Sequence, residues 1–250
     1  MSERPVKAAV LVIGDEVLSG RTQDVNVRQI AEFLSPLGIT LGEARVVSDV
    51  QDDIVEALNA LRTRWDYVFT TGGIGPTHDD ITADAVAAAF GRPIDVRADA
   101  LEILNTWYAN SGTQLTPARL RMARIPDGAE LIANPVTGAP GFQLENVFVL
   151  AGVPKIARGM LEDIAHRLKG GAVTQSASIR LEGVREGDIA EMLGQAAVSF
   201  PAVSIGSYPW FEELAGGGLS RGVAVVLRSA DGAALAKAEQ TLRSQLPAQP

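Results

Sequence analysis

Hydrophobic and polar positions divide the first part of the chain into short apolar runs separated by segments with helical periodicity. The runs at Val6–Gly14, Ile39–Val47 and Asp66–Thr71 have the length of single strands, and the first stops at a glycine. Such runs are typical of strands that are buried on both faces of a sheet. These three segments are therefore predicted to be strands.

Apolar residues recur at helical spacing after each predicted strand. The first helix is marked by Val27, Ile30, Phe33, Leu34 and Leu37, and the second by Ile54, Ala57, Leu58 and Leu61. A third helix is predicted over "TADAVAAAFG", with Thr82 as its N-cap and Gly91 just past its end. Alternating strands and helices indicate an α/β fold with a parallel sheet covered by helices.

The pattern continues to about residue 171 and then changes. "ALEILNTWYANSG" and "TPARLRMA" predict short helices, "NVFVLAG" a buried strand, and "PKIARGMLEDIAHRLKG" a helix from Pro154 to the glycines at 170 and 171. From Thr174 the segments predict strand, helix, strand, strand and helix. We expect two domains, residues 1–171 and a small α+β domain at 172–250, with "LAGGGLSRG" (214–222) as a flexible hairpin-like loop.

Composition narrows the classes of function. With 46% hydrophobic residues the chain can form a core, and a net charge of -8 makes nucleic acids and anionic membranes poor partners. The absence of cysteine excludes disulfides and thiolate chemistry. The first apolar run is too short for a signal peptide or a membrane span, so a cytoplasmic protein is expected. Helix N-termini and loop amides could still bind a small anion.

The stretch "TTGGIGPTHDDIT" (70–82) carries the strongest candidate chemistry. It fits neither a Walker loop nor a dinucleotide fingerprint, but its glycines allow successive backbone amides to point at one anion. Asp79 and Asp80 would repel a phosphate, so they make sense if a divalent cation lies between or if one orients a nucleophile. The alternative is that Asp80 only caps the next helix and Asp79 is solvated.

Other loops are expected at the same edge of the sheet, because the carboxyl ends of parallel strands meet there. "GDEVLSGRTQDVN" (14–26) is acidic, and Asp49 follows the second strand, although helix capping by Ser48 or Asp49 is an open alternative. "NPVTGAPGF" (134–142) is uncharged and suits either a backbone wall or an ordinary turn. His78 is weak evidence for a metal, and a structural role is favoured for His166.

The same motifs, in this order and with "AGVP" after the predicted fourth strand, resemble the molybdopterin-binding (MoaB/Mog, MoCF) domain family over about residues 5–170. The resemblance is to the N-terminal region of competence/damage-inducible CinA proteins in particular, and residues 174–247 resemble the small KH-type domain that follows there. It implies a three-layer α/β/α sandwich with a mostly parallel sheet.

The resemblance also implies a site. Asp49 and Asp80 match the family's catalytic carboxylates and are the candidate metal ligands, with the ligand phosphates on residues 72–77. The implied ligand-binding residues are Gly14, Asp15, Glu16, Ser19, Gly20, Asp24, Asn26, Thr71, Gly72, Gly73, Gly75, Pro76, Thr77, Asp79, Thr82, Asn134, Pro135, Gly138, Ala139 and Gly141.

The activity implied is a pyrophosphatase acting on ADP-ribose or FAD with a divalent metal (magnesium, manganese or cobalt) and potassium. The alternatives are a non-catalytic module that binds molybdopterin or a nucleotide, and a molybdopterin adenylyltransferase of molybdenum cofactor biosynthesis. The expected partner is a small nucleotide or pterin ligand, and a homo-oligomer is expected, with a dimer favoured.

Two positions depart from the family pattern. Where the family usually has proline and an acid, this chain has Ala151 and Ile156, and the loss of that acid favours the binding module. No match to the C-terminal nicotinamide mononucleotide deamidase domain follows residue 247, so deamidase activity is not expected.

Overall fold

The first apolar run forms an inner strand of a six-stranded sheet. The structure, a computed structural model, describes residues 5–213 and 217–246 and divides into two compact units between Gly171 and Ala172. In chain order the first unit contains β1 (Val6–Ile13), α1 (Asp15–Leu18), α2 (Asn26–Leu34), β2 (Ile39–Val47), α3 (Gln51–Arg64), β3 (Tyr67–Thr71), α4 (Thr82–Phe90), β4 (Ile94–Val96), α5 (Ala98–Ser111), α6 (Pro117–Leu120), β5 (Arg124–Pro126), β6 (Glu130–Ile132), β7 (Gly141–Leu144), β8 (Val147–Leu150) and α7 (Pro154–Ile164).

The strand order of the main sheet is β2-β1-β3-β8-β7-β6. The pairs β1–β2, β1–β3 and β3–β8 are parallel, whereas β7 pairs antiparallel with both β8 and β6. The chain moves from β1 to β2 on one side and then crosses to β3 on the other side of β1. Open α/β sheets place ligands at such a switch point, outside the carboxyl ends of the strands.

Side chains of β1 alternate between two apolar layers. Ala8, Val10 and Val12 pack in one hydrophobic cluster with α2 and α7, whereas the intervening residues pack in a second cluster with α3, α4 and α5. All of these β1 side chains are buried. The mostly parallel sheet with helices on both faces confirms the predicted three-layer α/β/α fold.

Two helix boundaries differ from the prediction. The residue preceding α4 is Ile81, so Thr82 is the first helical residue and not the N-cap; its buried hydroxyl donates to the Gly72 carbonyl at 2.9 Å. The last helix predicted for the first unit, from Pro154 to the glycines at 170 and 171, is also too long. In the structure α7 ends at Ile164, and a 3₁₀ turn follows over Ala165–Arg167. The sequence pattern did not predict the short strands β4 to β7.

The second unit contains β9 (Gln175–Glu182), α8 (Glu186–Ser199), β10 (Ser204–Glu213), β11 (Leu219–Ser229) and α9 (Gly232–Gln245), the predicted order of elements. Its antiparallel sheet has the order β10-β11-β9, and both helices contribute to one apolar cluster with the sheet. Residues 219–222, expected in a loop, belong to β11. Residues 214–216 of that loop lie outside the described residues.

The strand β10 lies at the edge of this small sheet, with β11 as its neighbour on one side. Its ten residues pair in continuous register with β11, and Pro209 lies near the middle, opposite Val223. Proline occurs in sheets at edge strands, where its missing N–H does not interrupt the ladder. Among the described residues, no helix has the length and apolar character needed to span a membrane.

Candidate functional site

The loops after β1 and β2 are joined by hydrogen bonds at the carboxyl edge of the sheet. The Gly14 N–H donates to the Val47 carbonyl at 3.1 Å, and the Asp15 N–H donates to Asp49 Oδ2 at 2.9 Å. The second bond fixes the Asp49 carboxylate against the loop that begins at Gly14. The predicted proximity of these two acidic loops is therefore present.

The loops after β3 and β8 meet the same edge. The Gly72 N–H donates to the Leu150 carbonyl at 3.3 Å, and the Asn26 side-chain amide, at the start of α2, donates to the Gly152 carbonyl at 2.8 Å. A β-carbon on Gly152 would lie 3.2 Å from the Gly72 Cα. The backbones of the loops after β3 and β8 therefore pack directly against each other at Gly72 and Gly152.

The backbone turns tightly at Gly72, directly after β3. Its φ of 102° lies outside the range that side-chain-bearing residues readily adopt, and a β-carbon there would lie 2.1 Å from the Ile13 carbonyl oxygen. The neighbouring Gly73 also has a positive φ, of 64°, and a β-carbon there would collide with the Thr82 hydroxyl. The two glycines allow the turn after β3 to pack against β1 and α4.

Asp49 is half-buried in acidic surroundings. Burial raises the pKa of its carboxyl, the Asp15 N–H opposes that rise, and the carboxylates of Asp15, Glu16 and Asp79 raise the pKa further. A carboxylate that is partly desolvated beside other negative charges is stabilised by a bound cation. Asp49 therefore has the surroundings expected of a ligand to a positively charged group.

Asp80 is held by the loop after β3. Its Oδ2 accepts a hydrogen bond from the Thr77 N–H at 2.8 Å and one from the Thr77 hydroxyl, and a β-carbon on Gly75 would lie 2.6 Å from the same oxygen. Asp80 does not cap α4, which begins after Ile81. The carboxylate is instead oriented by a local turn for which Gly75 leaves space.

The neighbouring His78 and Asp79 point into solvent. The His78 side chain is 98% exposed, and its Nδ1 is 3.9 Å from Asp79 Oδ1. Neither side chain is held as firmly as Asp80.

A first cleft lies between the loop after β1 and the Gly72 turn; we call it the Asn26 cleft, lined among others by Glu16, Asn26, Thr71, Gly72 and Gly152. Asn26 Oδ1 and Thr71 Oγ1 are buried and have no hydrogen-bond partner among the described residues. Buried polar atoms in native structures normally have partners, so these two atoms are suited to meet polar groups of a ligand or water.

A second cleft lies on the α4 side of the Gly72 turn; we call it the Arg121 cleft, lined among others by Gly73, Gly75, Asp80, Arg121, Arg124 and Pro140. Arg124 donates two hydrogen bonds of 2.7 Å to the Asp84 carboxylate. Arg121, in the 3₁₀ turn after α6, donates to the Asp80 carbonyl at 3.3 Å. This cleft therefore contains both carboxylate and guanidinium groups.

The glycine- and proline-rich loop before β7 is held by hydrogen bonds of the Asn134 side chain. The Asn134 side chain accepts from the Val136 and Thr137 N–H groups and donates to the Thr137 hydroxyl and the Ala139 carbonyl. It is buried and holds the loop in shape, and Pro140 is the residue of this loop that reaches the Arg121 cleft.

The other implied residues of this loop have structural contacts. A β-carbon on Gly138 would collide with the Trp107 ring, and one on Gly141 would lie 2.3 Å from the Val149 carbonyl oxygen. Pro135 approaches Gly159 of α7. Asn134, Pro135 and Gly138 line a groove beside Trp107, which adjoins the Arg121 cleft at Pro140.

The remaining implied residues form turns around the site. The Ser19 hydroxyl donates to the Glu16 carbonyl at 3.3 Å, and Gly20 has a positive φ of 72° with open space around it. Asp24 Oδ1 accepts from the Val27 N–H at 3.0 Å, which supports the first turn of α2. Asp24 also lines the Asn26 cleft, whereas Ser19 and Gly20 are not among its lining residues.

Arg121, Arg124 and Pro140 were not predicted as site residues. Arg121 lies within the predicted short helix "TPARLRMA" and Arg124 directly follows it, and arginines at such positions ordinarily form a solvated surface. The signal that could have found them is the concentration of three arginines within the six residues 119–124 of an otherwise acidic chain. The antiparallel strands that bring them to the cleft had no clear pattern of their own.

Fold and site together define an α/β protein with a glycine-rich turn and oriented carboxylates at the switch point of its sheet. The family model described as "probable molybdopterin binding domain" matches residues 9–170. The chain belongs to this MoCF family, which confirms the resemblance. Residues 175–250 match the model of the FAD synthase middle domain.

Individual relatives agree with the family. A protein of Aeropyrum pernix is 37% identical over 226 residues, which cover 86% of this chain and 82% of the relative. A CinA-like protein of Citrifermentans bemidjiense is 37% identical over 197 residues, covering 75% of this chain and 47% of the relative. This chain thus spans about half the length of that CinA-like relative.

One solved structure is similar in both sequence and shape. The crystal structure of CinA from Thermoplasma acidophilum, a protein of unknown function, is 35% identical and superimposes with a TM-score of 0.59. The alignment covers 64% of this chain and 96% of that one. The chain is therefore a CinA-like member of the molybdopterin-binding domain family.

Proposed function

We propose that this protein is a divalent-metal-dependent pyrophosphatase that hydrolyses the pyrophosphate of an adenine-containing ligand such as ADP-ribose or FAD. The observation that carries the proposal is the placement of Asp49 and Asp80. Each is half-buried and oriented by a backbone N–H in one of two loops that touch at Gly72. Oriented carboxylates beside a glycine-rich turn suit phosphate chemistry.

The donor set fits a divalent metal that also binds the substrate. Within residues 5–213 and 217–246, no three acidic or histidine side chains form a ready-made metal cage. Magnesium and similar ions at phosphate sites use one or two carboxylates together with water and substrate oxygens. Asp49 and Asp80 would supply those carboxylates. We propose potassium as a second cation that the activity requires.

The metal, when bound, supplies positive charge to the phosphate oxygens and lowers the pKa of a bound water. The side chain of Asp80 orients the attacking water, and the amides of Gly73 and Gly75 in the turn after β3 stabilise negative charge on the phosphate. The water oxygen forms a bond to phosphorus as the bridging P–O bond breaks. The products are AMP and the second phosphate ester, with the protons released to solvent.

A binding module without catalysis is the second candidate, and it is favoured by one residue. Ile156 is partly buried and packs against the hydrophobic cluster of α2 and α7, at the position where the CinA pattern has an acid. It therefore offers no oxygen to a metal or to a ligand. Under this alternative the same clefts would retain a pterin or a nucleotide without hydrolysing it.

Product analysis by chromatography tests the proposal. The purified chain is incubated with ADP-ribose, FAD or NAD, with magnesium, manganese or cobalt, and with or without potassium. We expect AMP to appear, and EDTA to suppress it. Asp80→Asn, which removes the charge and keeps the size, should lower turnover by at least about 100-fold while the ligand still binds.

The matched control is Asp52→Asn, an exposed carboxylate on the first turn of α3. It changes the net charge by the same amount and should leave turnover unchanged. If no mixture yields AMP from folded protein, or if Asp80→Asn retains full turnover, the pyrophosphatase proposal is wrong. Retention of a nucleotide or pterin without turnover would then support the binding module.

A further inference from the structure

Arg121 differs from the other arginine of the Arg121 cleft. Arg124 donates both ends of its guanidinium to the Asp84 carboxylate, so its charge is neutralised in place. Arg121 donates to a carbonyl, that of Asp80, and forms no ion pair in the part of the chain that the structure describes. Its charge is therefore uncompensated by a neighbouring carboxylate contact.

The Arg121 guanidinium also has an unused donor. Its Nε is buried and lacks a hydrogen-bond partner among the described residues. Leaving a buried charged donor unpaired is costly, so such groups are normally matched by an acceptor. The side chain lines the same cleft as Gly73, Gly75 and the Asp80 side chain, which lie in the turn after β3.

We infer that Arg121 binds a phosphate group of the ligand through its guanidinium. This inference deepens the proposed function and takes from it the pyrophosphate character of the ligand. Carboxylates dominate the carboxyl edge, with Asp15, Glu16 and Asp79 around Asp49, so a dianionic ligand needs a protein cation besides any metal.

A guanidinium group suits this task. Its planar fork of N–H donors matches the oxygens of a phosphate, and it carries its charge without proton exchange. The hydrogen bond from Nη2 to the Asp80 carbonyl anchors the fork beside the turn that holds the Asp80 carboxylate. Arg121 thus connects phosphate binding to the loop that positions Asp80.

Calorimetric titration tests the inference without turnover. The probes are α,β-methylene-ADP, whose phosphate bridge resists hydrolysis, and adenosine, which has no phosphate; magnesium is present throughout. We expect Arg121→Gln to weaken binding of the methylene analogue by about 10- to 100-fold and to change adenosine binding by less than about threefold. Arg121→Lys, which keeps the charge but loses the fork, should recover part of the affinity.

The control is Arg119→Gln, two residues away. Arg119 stacks on the Tyr108 ring and donates to the Gln114 carbonyl, and it is not among the residues lining the cleft. Its variant should bind both probes as the unmodified protein does. Thermal unfolding of each variant separates a binding defect from a folding defect, and the lysine variant covers the case in which glutamine prevents folding.

The outcomes separate this inference from the proposed function. Unchanged binding of the methylene analogue by Arg121→Gln, or an equal loss for adenosine, overturns the role of Arg121. If the analogue binds through Arg121 but ADP-ribose is not hydrolysed, the pyrophosphatase proposal fails and the phosphate site stands. If the unmodified protein binds neither the analogue nor adenosine, the role of Arg121 is overturned, and the turnover assay alone decides the pyrophosphatase proposal.

Discussion

At the scale of single residues, the site depends on a missing side chain as much as on the carboxylates. Gly72 brings the turn after β3 against the Ile13 carbonyl, and no other residue type could occupy this place without moving β1 or β3. Gly91, just after α4, also has a positive φ, of 60°, but its β-carbon would meet nothing within 4 Å. A side chain at either position would strain the backbone, but only a side chain at Gly72 would also collide with a neighbouring strand.

Gly72→Ala should lower the free energy of unfolding by more than about 3 kcal/mol, because strain and collision add. Gly91→Ala should cost only about 1–2 kcal/mol, the cost of a left-handed conformation for a residue with a β-carbon. Urea denaturation of both variants measures the difference. Equal losses at the two positions would show that the Gly72 turn can relax away from β1.

The sequence predicts where the candidate carboxylates lie along the sheet edge, but it does not predict the residues that surround them. Asp49 and Asp80 follow recognisable strands, and the sheet edge where such strands end is known from topology alone. The internal bonding of Asn134 and the half-buried Arg121 could not be predicted in this way. Arg121 lies in the 3₁₀ turn that directly precedes β5 and Asn134 lies in the loop before β7, and the positions of these two strands are set by tertiary pairing.

At the scale of elements, the short antiparallel strands at one side of the sheet escaped prediction for a physical reason. The strands β4, β5 and β6 have three residues each, and β7 has four. Segments of this length contain too few positions to show a period of two. The longer elements of both units were predicted correctly because their apolar faces extend over several repeats.

The turn between β7 and β8 contains the one described non-glycine residue with a positive φ, Glu145 at 52°. Leu144 and Val147 pair across it, which leaves a two-residue turn of Glu145 and Asn146. Asn146 donates to the Arg62 and Trp65 carbonyls at the end of α3 and so fixes the hairpin to that helix. The strain at Glu145 is therefore retained by contacts of its neighbour.

Glu145→Asn should raise the free energy of unfolding by up to about 1 kcal/mol, because asparagine tolerates the left-handed region better than glutamate does. Asn146 is unchanged in this variant, so the contacts with α3 remain. Thermal unfolding of the variant beside the unmodified chain checks the sign. A lower melting temperature would mean that the Glu145 side chain stabilises the turn through a contact of its own.

At the scale of the whole molecule, each unit has its own apolar core. The clusters around β1 contain residues of the first unit alone, and the cluster of Leu181, Val225 and Leu242 contains residues of the second unit alone. The change of pattern near Thr174 predicted that a second unit begins there.

Separate cores predict separate responses to mutation. Leu242→Ala in α9 should destabilise the second unit by about 2–5 kcal/mol, and Leu58→Ala in α3 should do the same to the first unit. Both leucines are fully buried. Hydrogen exchange followed by mass spectrometry should show faster exchange in the mutated unit only. Faster exchange in both units would show that they unfold cooperatively.

The proline in the middle of β10 has a consequence for the protein at high concentration. An edge strand of ten residues presents a row of backbone groups to which another strand can add, and repeated addition leads to fibrils. Pro209 removes one donor from that row, so an incoming strand could not form an unbroken ladder along it. A single imino acid thus protects the small unit against aggregation through its longest edge strand.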